Sequence, residues 1–239
     1  MSQPNTIAVR VENVVKSFAN GDARTFALKG ASLEARFGEL LMIVGPSGCG
    51  KTTLLSVICG TLKFDEGEVS VFDQKLRSMR NGDITRFRRE NIGFIFQQFN
   101  LIPTLTAVEN VSVPLILQGV SASDAEKRAK SMLEKVGLGE KFKSYPNQLS
   151  GGQQQRVAIS RALVHEPRLI ICDEPTASLD SASGHKTLEL LRQSAVHPDR
   201  CVIIVTHDSR IYEFADRIVQ MDDGRVTGHF DDPTQLQHA

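Results

Sequence analysis

The chain has 239 residues, 41% of them hydrophobic and 23% charged, with 28 Lys and Arg set against 28 Asp and Glu. Such a chain can bury a sizeable core, and its charge balance supplies no overall field that would draw it to nucleic acid or to an anionic bilayer. The apolar runs are far too short to cross a hydrocarbon layer of about 30 Å, the opening residues lack the pattern of a secretory signal, and the four cysteines show neither Cys-x-x-Cys spacing nor nearby paired histidines, so a cytosolic chain with reduced thiols and no direct membrane insertion is expected.

The first strand expected is Ile7 to Val15. A second, Leu40 to Val44, runs into Gly45-Pro-Ser-Gly-Cys-Gly-Lys-Thr-Thr53 and then into the helical stretch Leu54 to Cys59. Strand, G-x-x-x-x-G-K-[ST] and helix in that order make a phosphate-binding loop. Glycines let the backbone curl until successive N–H groups face one anion, and the start of the following helix adds the positive end of its dipole. Gly45, Ser47, Gly48, Cys49, Gly50, Lys51, Thr52 and Thr53 are therefore candidate nucleotide-binding residues. Lys51 is expected against the β- and γ-phosphates and the Thr52 hydroxyl on Mg²⁺. A glycine-rich turn without a ligand is the bland alternative.

Arg86 to Glu90 is a basic cluster that reads as a solvated helix face. Ile92 to Phe96 is the next strand. From Thr106 to His165 helical periodicity dominates and no convincing strand appears. Ser123 to Glu126 reads as a capping-box start, after which Ala125, Ala129, Met132, Leu133 and Val136 share one helical face, and Gly137 should end that helix. Leu149-Ser-Gly-Gly-Gln153 opens a further helix. Ser150, Gly151, Gly152 and Gln153 there form a second possible anion cradle, with ordinary helix capping as the alternative.

Arg168 to Cys172 is a strand that ends in two carboxylates. Asp173 is placed to hold Mg²⁺ and Glu174 to orient or deprotonate an attacking water. Strands follow at Cys201 to Val205 and Ile218 to Met221, and Asp223 with Gly224 signals a hairpin that closes the sheet's edge. The whole reads as an α/β chain with a mainly parallel sheet, an antiparallel β edge and an inserted helical subdomain. The expected division is one domain over 1–239, with its core in 1–98 and 167–239 and its helical subdomain in 99–166.

Taken together, the phosphate loop, Gln97 in Phe-Ile-Phe-Gln-Gln, the Leu149 to Gln153 motif, Asp173-Glu174, Ser178-Leu-Asp180 and Thr206-His207 resemble, in order and spacing, the ABC ATPases. Residues 99–110 and 150–156 look closest to the subunits that power lipoprotein-releasing, macrolide-efflux and glycolipid or peptide exporters. The resemblance implies a P-loop NTPase fold of ABC type and hydrolysis of ATP with Mg²⁺. It makes Phe18 the aromatic that stacks on adenine, Gln97 a residue that touches Mg²⁺, and His207 a contact to the γ-phosphate. It also implies that Ser150, Gly151, Gly152 and Gln153 face the nucleotide of a second copy in a head-to-tail dimer, across which Asp180 communicates. The further partner it implies is an integral membrane permease, which would hold the chain on the cytoplasmic face of the membrane and drive export or extraction. A regulatory or signalling ABC subunit stays open as an alternative. A DNA-repair or translation ABC protein fits less well, because the segment between the two cradles is compact and the motifs occur once.

Overall fold

The structure, a computed structural model, describes residues 6–20, 23–195, 197–233 and 235. Strands β1 (Ile7–Asn20) and β2 (Ala23–Arg36) pair antiparallel from Ile7 against Arg36 to Asn20 against Ala23. Strand β3 (Leu40–Val44) starts a different sheet and leads through the phosphate loop into helix α1 (Lys51–Ile58). Strands β4 (Glu66–Val71) and β5 (Gln74–Lys75) return to the first sheet, completing the order β2-β1-β4-β5. Helix α2 (Asn81–Asn91) precedes strand β6 (Ile92–Ile95), and then come three helices: α3 (Ala107–Leu117), α4 (Ala122–Lys135) and α5 (Gly151–Leu163). Strand β7 (Leu169–Asp173), helix α6 (Ser181–Ala195), and strands β8 (Cys201–Thr206), β9 (Arg217–Asp222) and β10 (Arg225–Phe230) complete the second sheet, in the order β10-β9-β3-β8-β7-β6.

Five strands of this second sheet run parallel and only β10 is antiparallel. Every residue of β3 and β8 is buried, as a parallel sheet covered on both faces requires. Because successive side chains alternate between faces, Leu41, Ile43, Ile171, Ile203 and Val205 join a core shared with β1, β2 and α1. Leu40, Met42, Ile170, Cys172, Val202 and Ile204 point the other way, against α5 and α6. Truncating one of these fully buried aliphatics to alanine costs about 2–5 kcal/mol, because the covered sheet cannot collapse into the space left. A third core, built on Val111, Leu115, Ala129, Leu133 and Val157, ties α3, α4 and α5 together.

The antiparallel sheet of β1, β2, β4 and β5 is the main addition to what was expected. It is a separate sheet, additional to the expected antiparallel edge, and β1 continues to Asn20, which puts Phe18 inside the strand. The expected edge hairpin is nevertheless present between β9 and β10, where Asp223 and Gly224 both have positive φ, the combination a two-residue turn between twisted strands favours. Helix α4 is capped by Ser121 instead of Ser123. The Ser121 hydroxyl accepts from the Asp124 N–H at 3.2 Å and donates to the Asp124 carboxylate at 2.7 Å, a reciprocal pair that Ser123 does not make. Gly137, at φ 73°, takes the left-handed position that ends the helix. All four cysteines are free and buried.

Candidate active site

Parallel register decides which residues meet. Val44 pairs with Thr206, Asp173 with Val205, and Ile95 with Cys172. The residues that follow β3, β8, β7 and β6 therefore emerge on one edge of the sheet, the carboxyl edge where open α/β sheets bind ligands. Gly45, His207 and Glu174 are the first residues after β3, β8 and β7, and Gln97 is the second after β6.

The phosphate loop has a shape only glycine permits at two points. A Cβ on Gly45, at φ 150°, would lie 2.1 Å from the Met221 carbonyl oxygen, and one on Gly50, at φ 104°, would lie 2.3 Å from that of Ala27. Gly50 is also the N-cap of α1, which has no side-chain cap, so the N–H groups of the first turn face the loop's concavity. Lys51 is buried, and its Nζ donates to the carbonyls of Gly45 at 2.7 Å and Pro46 at 2.9 Å. Those bonds hold the ammonium at the rim of a cleft of about 300 Å³, lined by Ala27, Ser47, Gly48, Gly50, Lys51, Thr52 and Thr53 on one side and by Gln97, Glu174 and His207 on the other. Gly45 and the buried Cys49 are not part of that lining.

Beside the loop, the Thr52 hydroxyl donates to Asp173 Oδ1 at 3.2 Å. Burial raises the Asp173 carboxyl above its ordinary value, and the adjacent Glu174 charge adds to the rise, while the Thr52 hydrogen bond and Lys51 act against it. A dication brought in with phosphate would relieve that repulsion. Among the described residues no cluster of three His, Cys, Asp or Glu side chains could cage a metal alone. One carboxylate with a hydroxyl and substrate phosphates is instead the donor set that suits Mg²⁺, so the residues present fit MgATP.

Glu174 follows β7 with φ 51°, a conformation that costs a non-glycine residue about 1–3 kcal/mol and persists only where its surroundings impose it. Here its N–H donates to the Val205 carbonyl at 2.9 Å, and Nδ1–H of His207 donates to its carboxylate at 2.7 Å. Glu174 is mostly covered, and His207 is about half exposed.

The second cradle lies elsewhere. Ser150 caps α5, accepting from the Gln153 N–H at 3.3 Å, while Gln153 Oε1 accepts from the Ser150 N–H at 2.9 Å. Neither these two residues nor Gly151 and Gly152 line the cleft at Lys51. Phe18 also lies outside it: the ring is 44% exposed on β1, with Lys16 Nζ 5.2 Å from its centre. Asp180 accepts from the Ser183 N–H at 3.0 Å, and its carbonyl accepts from Gly184.

Sequence reasoning missed the bonds that brace this edge. Ala27 reaches the cleft from β2, a strand that the sequence reading did not identify. Gln155 Nε2 donates to the Pro175 carbonyl at 2.9 Å, next to Glu174. Arg161 donates to two carbonyls just beyond Gln97. All three depend on contacts remote in the chain, and no local pattern marks them.

An edge shaped around phosphate in this way defines a P-loop nucleotide-binding protein. Residues 28–177 match the family model described as ABC transporter, and the chain belongs to that family. It is 44% identical over 222 residues to an uncharacterized ABC transporter ATP-binding protein, MJ0796, of Methanocaldococcus jannaschii, an alignment that covers 91% of this chain and 94% of the relative. A Thermotoga maritima ABC transporter ATP-binding protein is 42% identical, with 90% and 92% covered. Among solved structures, a dimeric post-hydrolysis state of the MJ0796 cassette bound to ADP and Pi superposes with a TM-score of 0.87 at 43% identity, covering 94% of this chain and 99% of that one. The cbiO1 subunit of the cbiONQ transporter complex of Clostridium perfringens superposes at 0.85 with 29% identity, over 98% and 92%. The chain is an ABC ATPase whose reaction is hydrolysis of ATP with Mg²⁺.

Proposed function

We propose that the chain is the motor of a membrane transporter, working as a head-to-tail pair of cassettes beneath a separate integral permease. The observation that carries this reading is the separation of the two cradles within one chain. The phosphate loop has Glu174 and His207 across its cleft, while the Ser150 cradle sits on a different helix and lines no part of that cleft. A second copy turned head to tail would bring its Ser150, Gly151, Gly152 and Gln153 to the open side of the bound nucleotide. The MJ0796 cassette, which is similar to this chain, is dimeric with ADP and Pi bound, which supports a paired arrangement.

In the mechanism, the loop N–H groups and Lys51 bind the phosphates, and Ser47, Thr53 and the Gly48 backbone complete the cradle. Thr52, Asp173 and Gln97 would hold Mg²⁺, whose contribution is to neutralise charge on the phosphates. Glu174 takes a proton from the attacking water. His207, already hydrogen-bonded to Glu174, orients that carboxylate and meets the γ-phosphate. Phe18 supports the adenine from the antiparallel sheet. The core in 1–98 and 167–239 performs the chemistry, and 99–166 passes the motion on.

No helix among the described residues is long and apolar enough to cross a membrane. A mainly apolar groove of about 550 Å³ on α3 and α4 is lined by Leu105, Val108, Val113, Ile116 and Leu117 with Glu109, Glu126 and Lys143 among them, and Ile116 and Leu117 are exposed. Apolar surface of that kind suits a cytoplasmic helix of the permease, which would hold the chain on the inner face of the membrane and couple it to export or extraction. Glu174→Gln tests the chemistry: it is expected to retain MgATP binding and lose about 10²-fold or more in turnover. Normal steady-state hydrolysis by that variant removes Glu174 from the role. Purification from detergent-solubilised native membranes should recover a multi-span protein in fixed ratio, and charged substitutions at Ile116 and Leu117 should release it. Recovery with ribosomes or DNA alone defeats the transporter reading and leaves the ATPase intact.

A further inference from the structure

We propose that Arg161 is a positioning residue that fastens the Gln97 loop to helix α5, so that the side chain facing the cleft and the second cradle move as one piece. The inference deepens the ATPase reading above and rests on it.

Leaving β6, the chain makes a tight turn in which the Phe99 N–H donates to the Phe96 carbonyl at 3.2 Å, and Phe99 and Asn100 both take left-handed φ, 57° and 46°. A bulky aromatic is a poor occupant of that conformation, so something outside the turn must impose it. Arg161 does so. Its Nη2 donates to the Phe99 carbonyl at 2.8 Å and its Nη1 to the Asn100 carbonyl at 2.7 Å. One rigid fork thus holds two successive peptide groups, which fixes their orientation as well as their position. Gln97, two residues before the first of these carbonyls, faces the cleft.

Helix α5 also meets this loop at its other end, where the tip of the Phe99 ring lies 4.0 Å from the place a Cβ on Gly151 would occupy. Gly151 and Arg161 are ten residues apart, about 15 Å along the helix. The turn is therefore held by hydrogen bonds from the body of α5 and lies near its cradle end. Through Gln155 the same helix holds the Pro175 carbonyl beside Glu174. Side chains of one helix thus reach both loops that flank the cleft, and a shift of Gln97 on nucleotide binding is passed to the cradle as rigid-body motion.

The test uses the full chain with Arg161→Gln, which loses the fork, and Arg161→Lys, which keeps the charge and can reach one carbonyl. With a melting temperature within a few degrees of the parent, Arg161→Gln is expected to lose about 10-fold or more in kcat while KM for MgATP moves by no more than about 3-fold, the pattern of a misplaced group rather than lost binding. Arg161→Lys should recover part of kcat. The Mg²⁺ concentration for half-maximal rate should rise in Arg161→Gln and in a Gln97→Ala control. If the control moves and Arg161→Gln does not, the fastening is refuted while the Gln97 assignment stands. A parental kcat in folded Arg161→Gln, or a loss that Arg161→Lys does not relieve and that follows melting temperature alone, also overturns the proposal. Should Arg161→Gln fail to fold, Arg161→Lys decides by the same split.

Discussion

The two anion cradles are built on the same principle and differ in what the fold itself demands of them. In the phosphate loop, glycine is required at Gly45 and Gly50 because a Cβ there would collide with backbone carbonyls of β9 and β2. In the second cradle no collision enforces glycine. A Cβ on Gly151 would meet nothing closer than 3.8 Å, and one on Gly152 would meet the movable Ser183 side chain, its hydroxyl oxygen at 3.1 Å and its Cβ at 3.4 Å. The helix starts differ in the same sense, since α1 has no side-chain cap and α5 is closed by a reciprocal Ser150 and Gln153 pair. The first cradle is shaped by its own chain for a ligand. The second is a well-capped helix start whose glycines its own backbone does not enforce, which fits a site completed by another molecule.

The largest expected effect falls on the first cradle. Lys51→Ala removes the cation that the loop carbonyls hold at the cleft and should lower turnover by about 10²-fold or more, as loss of a charge-stabilising donor does in other enzymes. Unchanged turnover and MgATP affinity, measured by steady-state kinetics and isothermal titration, would dissociate the loop from the chemistry. A paired substitution probes the comparison itself. Gly50→Ala should destabilise the chain by more than about 1 kcal/mol, because alanine is strained at that φ and its Cβ has no room. Gly151→Ala should stay within about 0.5 kcal/mol of the parent in thermal or urea unfolding, yet hydrolyse ATP more slowly. Equal destabilisation by both would erase the distinction.

The smallest effect concerns Asp173, whose raised value makes its charge a cost to the folded chain. A carboxyl raised on folding binds its proton more tightly in the folded state, so stability falls as pH climbs from the ordinary aspartate range through the raised value. Asp173→Asn should therefore melt slightly higher than the parent near neutral pH without nucleotide, lose that advantage in acid where both states are protonated, and hydrolyse ATP poorly. A lower melting temperature near neutral pH would contradict the burial argument.

Much of this site was legible in the sequence because each chemical group stands at the carboxyl end of a buried strand. Leu40 to Val44, Leu169 to Cys172 and Cys201 to Val205 are continuous apolar runs, and parallel pairing then brings whatever follows them to one edge. Strand β2 was not legible, because Ala23 to Arg36 mixes charge and small residues and is held chiefly by pairing with β1. The start of α4 was displaced by two residues because Ser121 and Ser123 both precede acidic side chains, and only the folded hydrogen bonds choose between them. The grip of Arg161 on Phe99 and Asn100 spans about 60 residues of chain, which no motif reports.

The claim that the second cradle belongs to another copy's nucleotide is tested most directly by mass. Glu174→Gln with saturating MgATP, measured by light scattering, should double from the 26.3 kDa of one chain. The same variant carrying Gly151→Asp, whose carboxylate would repel phosphate at the cradle, should bind MgATP as before and remain a single chain. A Glu174→Gln chain that stays single at saturating MgATP, or a Gly151→Asp combination that still doubles, would contradict the account.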